Sequence, residues 1–543
     1  MTIIKNVKLY RPGEGDSPNE RHHIIFKDGI IEQITQGDPP ADLENVIDGS
    51  GFTLAPSFND SHLHLLRFGL MKDELDLRNV ASWKEMQEII RKKYNQEKMK
   101  HGEWMVGRGM MDDTFDDIDR LIDARDLDGL VSEQPMFILH DDGHECIVNT
   151  KALNLVKEKI DLTRFPEEFV ETDKNGELLG RFKDTAVHLI HVLFRQKSKE
   201  KVKEAVASAV PHLLENGITS VHTDDLNYAG SYETLWAAYT ELEQEGRLPV
   251  DVHLHHYIFN IGDLKGFLEN WDMRTGDGTE RVKVGAIKIF LDGTQRLHTC
   301  ALREPYSDRP ETRGVLNYPS QDLKDIVKLA AEHDMQVAMH AIGDRAVDEA
   351  LDAIEFAGEH KLRHRIIHAQ VLAPDQFERL EQIKPYLEIQ PGFMMKEYKE
   401  TRKWVGRERE KYCNAWGSVD KRKIPFTTSS DCPIGPLSPI IELFAGVNRT
   451  DLEGKPEGRW MPDEKVKIDS LYHGYTVTPA ELEFQEDRKG KLAPGYFADF
   501  VLLSTHPAEI SEFEIQDLEV IETWSRGRRA YMQDSKHQNT PQN

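Results

Sequence analysis

Short apolar segments recur along this chain, separated by stretches of helical periodicity. They read "GFTLAPSFNDSHLHL" (51–65), "GITSVHTDD" (217–225), "VDVHLHHYIF" (250–259), "VGAIKIFLDGT" (284–294), "QVAMHAIGD" (336–344), "RIIHAQ" (365–370), "YLEIQPG" (386–392) and "IPFTTSSD" (424–431). Strands alternating with helical text such as "RAVDEALDAIEFAGEH" and "SPIIELFAGVNR" imply parallel β-α units. Eight such units close a barrel, so the expected fold class is α/β, a (β/α)8 TIM barrel.

Two regions depart from this rhythm. About 150 residues separate His64 from the second strand, far more than one crossover needs, which places an inserted subdomain at about 66–215. It holds basic helical text, "MQEIIRKKYNQEKMKHG", an acidic run, "DDTFDDID", and the strand-like "QPMFILHDDGHECIVNT". The charge runs are expected to be solvated faces. At the amino end, "TIIKNVKL" and "HIIFKDGIIEQI" read as strands around a Lys-Asp-Gly turn, and "KGKLAPGYFADFVLLS" and "LEVIETWSRGRRAYMQ" near the carboxyl end have the same character. Both ends are therefore expected to form one small β-sandwich (1–53 and 484–543) bracketing the barrel unit (54–483). The tail "SKHQNTPQN" lacks apolar anchors and is expected to fray.

Composition narrows the functional classes. A chain of 543 residues with 39% hydrophobic residues and a formal net charge of −26 suits a water-soluble protein and disfavours a nucleic-acid backbone as partner. The amino-terminal text has no apolar core of signal-peptide length, and no uncharged run reaches the ~18 residues a bilayer span needs. A cytoplasmic protein acting on a small molecule is expected, with no membrane partner; homodimerisation is left open. Cys146, Cys300, Cys413 and Cys432 form no C-x-x-C pair and read as packing residues.

Candidate chemistry sits in histidines. With 23 of them, about one H-x-H pair is expected by chance, and there are two, His62/His64 and His253/His255. Spacing cannot choose between them, but position can, because barrel chemistry gathers at the carboxyl ends of strands. Strand one ends in His62 and His64, strand four carries Lys288, strands five and six end at His340 and His368, and strand eight ends at Asp431. Alternate residues share a strand face, so His62 and His64 can serve one cation, and neutral imidazoles are ordinary zinc ligands. His253 and His255, in mid-strand, are read as packing or substrate-side residues. Lys288 is anomalous in "VGAIKIFLDG", since a buried cation is disfavoured unless paired, neutral or modified. Asp344 is expected to cap the following helix, and Asp60 to support the site through hydrogen bonds.

The order H-x-H, Lys, His, His, Asp over these strands resembles the binuclear amidohydrolase superfamily. The phrases "APSFNDSHLHL", "DDGHECIVNTKAL", "GAIKIFLDGT", "MHAIGDRAVDEALD", "RIIHAQVLAPDQ", "SSDCPIGPLSPI" and "KGKLAPGYFADFVLL" resemble its branch containing N-substituted formamide deformylase and exoenzyme-like amidohydrolases. The resemblance implies two divalent ions, zinc foremost, held by His62, His64, His340, His368 and Asp431 and bridged by a carboxylated Lys288. It further implies hydrolysis of a non-peptide amide-like C–N bond, in an N-formyl or N-acyl compound, by a metal-bridged hydroxide, with Asp431 as proton shuttle and His144 binding or polarising the carbonyl. Two departures bear on substrate: Ile367 stands where the branch has Glu, and "TQRLHTCAL" (294–302) replaces a small Gly/Ser-rich turn. The alternatives are a mononuclear deaminase of an amino-substituted heterocycle, which would want a glutamate after strand five, and a catalytically silent scaffold, which would be expected to have lost ligands.

Overall fold

In the computed structural model, which describes residues 1–37, 45–96, 102–191, 193–194, 197–358 and 361–533, each of the eight apolar segments contributes a strand. These are β1 (Phe58–Leu63), β2 (Ile218–Thr223), β3 (Asp251–Tyr257), β4 (Val282–Phe290), β5 (Val337–Ala341), β6 (Arg365–His368), β7 (Tyr386–Ile389) and β8 (Phe426–Thr428). They pair in sequence order, all parallel. The circle nearly closes where β8 meets β1: Ser61 Oγ donates to Thr427 Oγ1 at 2.7 Å, and just beyond the strand the Asp431 N–H donates to the His62 carbonyl at 2.8 Å. Outer helices cover the sheet with apolar stripes at helical spacing, as in Asp344–Ala357, which buries Ala346, Val347, Ala350, Leu351 and Ile354. Asp344 is the first residue of that helix and Gly343 its cap, so the expected capping role falls one position off. The Asp344 carboxylate instead accepts the Arg303 N–H at 2.8 Å.

Branched apolar residues usually fill such a barrel. Here its interior also holds a fully buried polar chain that the sequence reading did not anticipate. Arg365 on β6 donates to Glu388 on β7 (2.9 Å) and to His222 Nδ1 on β2 (2.7 Å), and His222 Nε2 pairs with Glu483 (2.9 Å). Lys489 donates to the same Glu483 at 2.7 Å. Burying these ions is tolerable only because each has an opposite charge and hydrogen bonds in place.

The chain ends meet as expected. Strands Thr2–Leu9, His22–Lys27, Ile30–Thr35 and Thr53–Pro56 join Phe500–Leu503, Val520–Ser525 and Arg528–Met532 in one sheet, with Asn45–Asp48 pairing beside Thr2–Leu9. Its seam is Thr53–Pro56, parallel to the first strand on one side and antiparallel to Phe500–Leu503 on the other. The Lys-Asp-Gly turn has Asp28 at φ 49° and Gly29 at φ 83°, the two positive values a tight hairpin asks for. Residues 535–543 lie outside the described residues.

The inserted segment builds a sheet of its own from Leu75–Asp76 to Leu178–Lys183 and Val170–Thr172. At its centre, Met136–His140 and Glu145–Val148 form an antiparallel pair. One part of the acidic run is not a solvated face: Asp112 is buried and accepts from Arg181 at 2.7 Å, while Glu145 accepts from the same guanidinium. The cysteines are buried and unpaired. Among the described residues no helix is long and apolar enough to cross a membrane.

Candidate active site

The strand ends bring the sequence-predicted residues to one mouth of the barrel. His62 lies on β1, His64 one residue past it, and Asp431 past β8, so the hydrogen bonds that close the barrel also set the carboxylate against the histidines. Asp431 Oδ1 is 3.4 Å from His62 Nε2 and 3.2 Å from His64 Nε2. One nitrogen each of His62 and His368 and one oxygen of Asp431 all lie within 4.8 Å of one another. Lys288, wholly buried on β4, places Nζ 3.5 Å from His62 Nε2 and 4.7 Å from the Phe290 ring centre. His340 on β5 has its Nδ1 3.1 Å from Asp292, and its ring centre is 4.7 Å from that of His368. His368 and Asp431 take φ of 74° and 52°, left-handed values uncommon outside glycine. Such strained backbone is held only where the surroundings over-determine it.

Each side chain is held from behind. The His62 Nδ1 faces Glu388 at 3.6 Å, the His64 Nδ1 lies 2.9 Å from the Asp224 carbonyl, and the His368 Nδ1 pairs with Gln390 Oε1 at 2.7 Å. Asp60 accepts from the His62 N–H (3.3 Å) and the Ser430 N–H (3.1 Å), tying the histidine strand to the aspartate loop. Glu388, Gln390 and Asp292 were not singled out from the sequence. A signal existed for Glu388, since a charge inside "YLEIQPG" is as odd as Lys288 in its own strand.

Burial sets the protonation states. It holds His62 and His340 well below the usual imidazole range and His368 at about 4, so all three are neutral at neutral pH. Burial pushes the Asp431 carboxyl up, but the close approach of the His62 and His64 rings to Oδ1 outweighs it and keeps the group well below the carboxylate range. His64 is raised, because Asp431 overcomes its desolvation, and burial lowers the Lys288 ammonium. His340 Nε2 and Asp431 Oδ1 are buried without a hydrogen-bond partner. Neutral imidazole nitrogens and an ionised carboxylate, unsatisfied and converging, are a donor set that fits a divalent cation.

The insertion supplies the facing wall. Its central hairpin turns at Asp141–His144, and Gly143 at φ 75° packs so closely that a Cβ there would lie 2.5 Å from Ile434 Cδ1, beside the aspartate loop. His144 thereby lines the same pocket as His62, His64, His340, His368 and Asp431, with Nδ1 2.9 Å from Asp184. Arg296, in the divergent 294–302 segment, clamps this hairpin through Asp142 (2.5 Å) and Glu145 (3.1 Å). Ile367 does not line the pocket; it packs inside the barrel against Ala286 and Ala338, which share a strand face with Lys288 and His340. His188, Tyr228 and Arg108 also line the pocket and were missed, since nothing in their local text marks them.

The second histidine pair lies elsewhere. His253 faces Glu483 at 3.6 Å in the barrel interior, and His255 Nδ1 accepts the Ala286 N–H at 2.8 Å. His62→Ala or His64→Ala is therefore expected to abolish turnover and lower bound metal, whereas His253→Ala keeps metal near wild type. Elemental analysis of the purified variants decides it, and equal metal loss in all three would refute the assignment.

A profile of the amidohydrolase family matches residues 45–531. The Bacillus subtilis protein YtcJ, whose name assigns it as an amidohydrolase, is 30% identical over 89% of this chain and 89% of its own length. The N-substituted formamide deformylase of Arthrobacter pascens is 24% identical over 90% of both chains. Among solved structures, a metal-dependent hydrolase of Pyrococcus horikoshii superposes with a TM-score of 0.75 at 25% identity, covering 94% of this chain and 99% of its own. With the family profile spanning nearly the whole chain and a converging His/His/Asp donor set at the barrel mouth, the chain belongs to the amidohydrolase family, in the superfamily of metal-dependent hydrolases.

Proposed function

We propose that this chain hydrolyses a non-peptide amide-like C–N bond, in an N-formyl or N-acyl compound, using two zinc ions held by His62, His64, His340, His368 and Asp431 and by a carboxylated Lys288. The observation that carries this reading is the Asp431 carboxylate, held between His62 and His64 at the pocket floor with His144 on the opposite wall. Divalent ions in such a donor set polarise a carbonyl and acidify water toward neutral pH. Asp431 takes the proton as the water oxygen bonds to the carbonyl carbon. It returns that proton to the nitrogen as the C–N bond breaks, releasing a carboxylic acid and an amine. His144, its Nδ1 engaged by Asp184, keeps the other ring nitrogen for the carbonyl oxygen.

A deaminase would ask for a proton-carrying glutamate after β5, where this chain has Ile342, Gly343 and the engaged Asp344. A silent scaffold is disfavoured because all six ligand positions keep ligand-type residues. The test is a hydrolysis screen of the zinc-loaded protein against N-formyl amines, N-acyl amino acids, cyclic amides and aryl esters. Amine release from the N-formyl or N-acyl compounds is expected. Ammonia release from amino-heterocycles alone would replace this reading with the deaminase.

A further inference from the structure

The pocket wall opposite the metal-type ligands carries a cation that its neighbours leave unmatched. Arg108 comes from the insertion strand Met105–Met110, which pairs with the His144 hairpin, and it lines the pocket while only 8% exposed. Two carboxylates lie near it, and both are taken. Glu74 is bound by Arg67 at 2.5 Å and stands 3.9 Å from Arg108 Nε. Asp76 is gripped in bidentate fashion by Arg78, at 2.9 and 2.7 Å, and reaches Arg108 only at 3.5 Å. The Arg108 Nε has no hydrogen-bond partner. Of the acids that line the pocket itself, Asp141 pairs with Lys396 (3.0 Å), Asp142 with Arg296 and His140, and Asp431 lies against His62 and His64. Three guanidinium ions thus share two carboxylates, leaving one positive charge in a nearly dry place.

Burial, then the Arg78 charge, lowers the Arg108 guanidinium to about 10, which leaves it protonated at neutral pH. A buried charge whose only carboxylate neighbours are held more closely by other arginines is costly, and a planar guanidinium fork is made for a carboxylate. A single surplus charge matches a monoanion.

We propose that Arg108 receives a carboxylate of the substrate, so that the preferred substrates are N-acyl or N-formyl compounds bearing one carboxylate, of the N-acylated amino acid class. This rests on the hydrolytic reading above, and the test separates the two. Matched pairs of N-formyl and N-acetyl compounds, differing only by hydrogen in place of carboxylate, are compared for kcat/KM in the zinc-loaded wild type and in Arg108→Met and Arg108→Lys. Binding of the same pairs is measured by calorimetry in zinc-loaded Asp431→Asn, with and without Arg108→Met. Wild type is expected to favour the acids roughly 10–100-fold, as a charge-assisted pair allows. Arg108→Met should lose that preference mainly through KM while treating the neutral partners as before, and Arg108→Lys should fall between. Selective binding of the acids without turnover of any pair would sink the hydrolytic reading and leave Arg108 standing. Equal handling of acid and neutral partner by wild type, which needs no variant, would overturn the proposal, as would an equal loss for both partners in Arg108→Met or no binding of either.

Discussion

Asp431→Asn is expected to keep most of the bound metal while kcat falls by roughly 10²–10⁴, the usual contribution of general acid–base catalysis. The substitution changes little except basicity. Asparagine is nearly the same size, and it tolerates left-handed backbone better than most residues, so the φ of 52° at this position adds no strain. The loop stays anchored through the Asp431 N–H to the His62 carbonyl and the Ser430 N–H to Asp60. What is lost is a group able to take a proton and return it. Metal analysis beside steady-state kinetics checks the split, and near-native turnover would refute the shuttle.

Lys288→Ala is expected to bind fewer metal ions and to be nearly inactive, with partial recovery of both on adding acetate or propionate. The lysine is wholly buried, has no carboxylate partner at ion-pair distance among the described residues, and sits beside a histidine of the donor set. Reaction of its amine with carbon dioxide forms an N–C bond and releases a proton, turning an awkward cation into an anion able to bridge two divalent ions. A small carboxylate entering the space vacated in Lys288→Ala would restore that charge. Lys288→Arg should not be rescued, because its side chain stays cationic and fills the space. Metal stoichiometry and turnover with and without added carboxylate, and a bicarbonate requirement for reconstituting wild-type apoprotein, are the measurements. A Lys288→Ala protein that holds two metals and turns over normally without additive would make the lysine structural.

Barrel and donor set were legible for the same reason. Buried parallel strands announce themselves as short apolar runs, and a polar residue ending such a run stands out, as His340 and His368 do. Partnership over long sequence distance was not legible. Arg365, His222 and Glu483 look unremarkable one by one, and only the folded barrel shows that with Glu388 they form a single chain of contacts behind His62. Arg108 escaped for the same reason, because its meaning lies in Arg67 and Arg78 having already claimed Glu74 and Asp76. The acidic run misled because local charge density says nothing of a buried arginine such as Arg181, contributed from a different strand.

The seam strand Thr53–Pro56 has a consequence in time as well as in space. It leaves the ribosome well before its partner, yet among the described residues one of its edges is paired only by Phe500–Leu503. At roughly 5–20 residues per second, the intervening ~450 residues take on the order of 20–90 s to make. Throughout that interval the nascent chain carries an open β-edge of the kind that invites pairing with another chain. Translation arrested before residue 500 should therefore yield a product that aggregates or recruits chaperones, however complete its barrel.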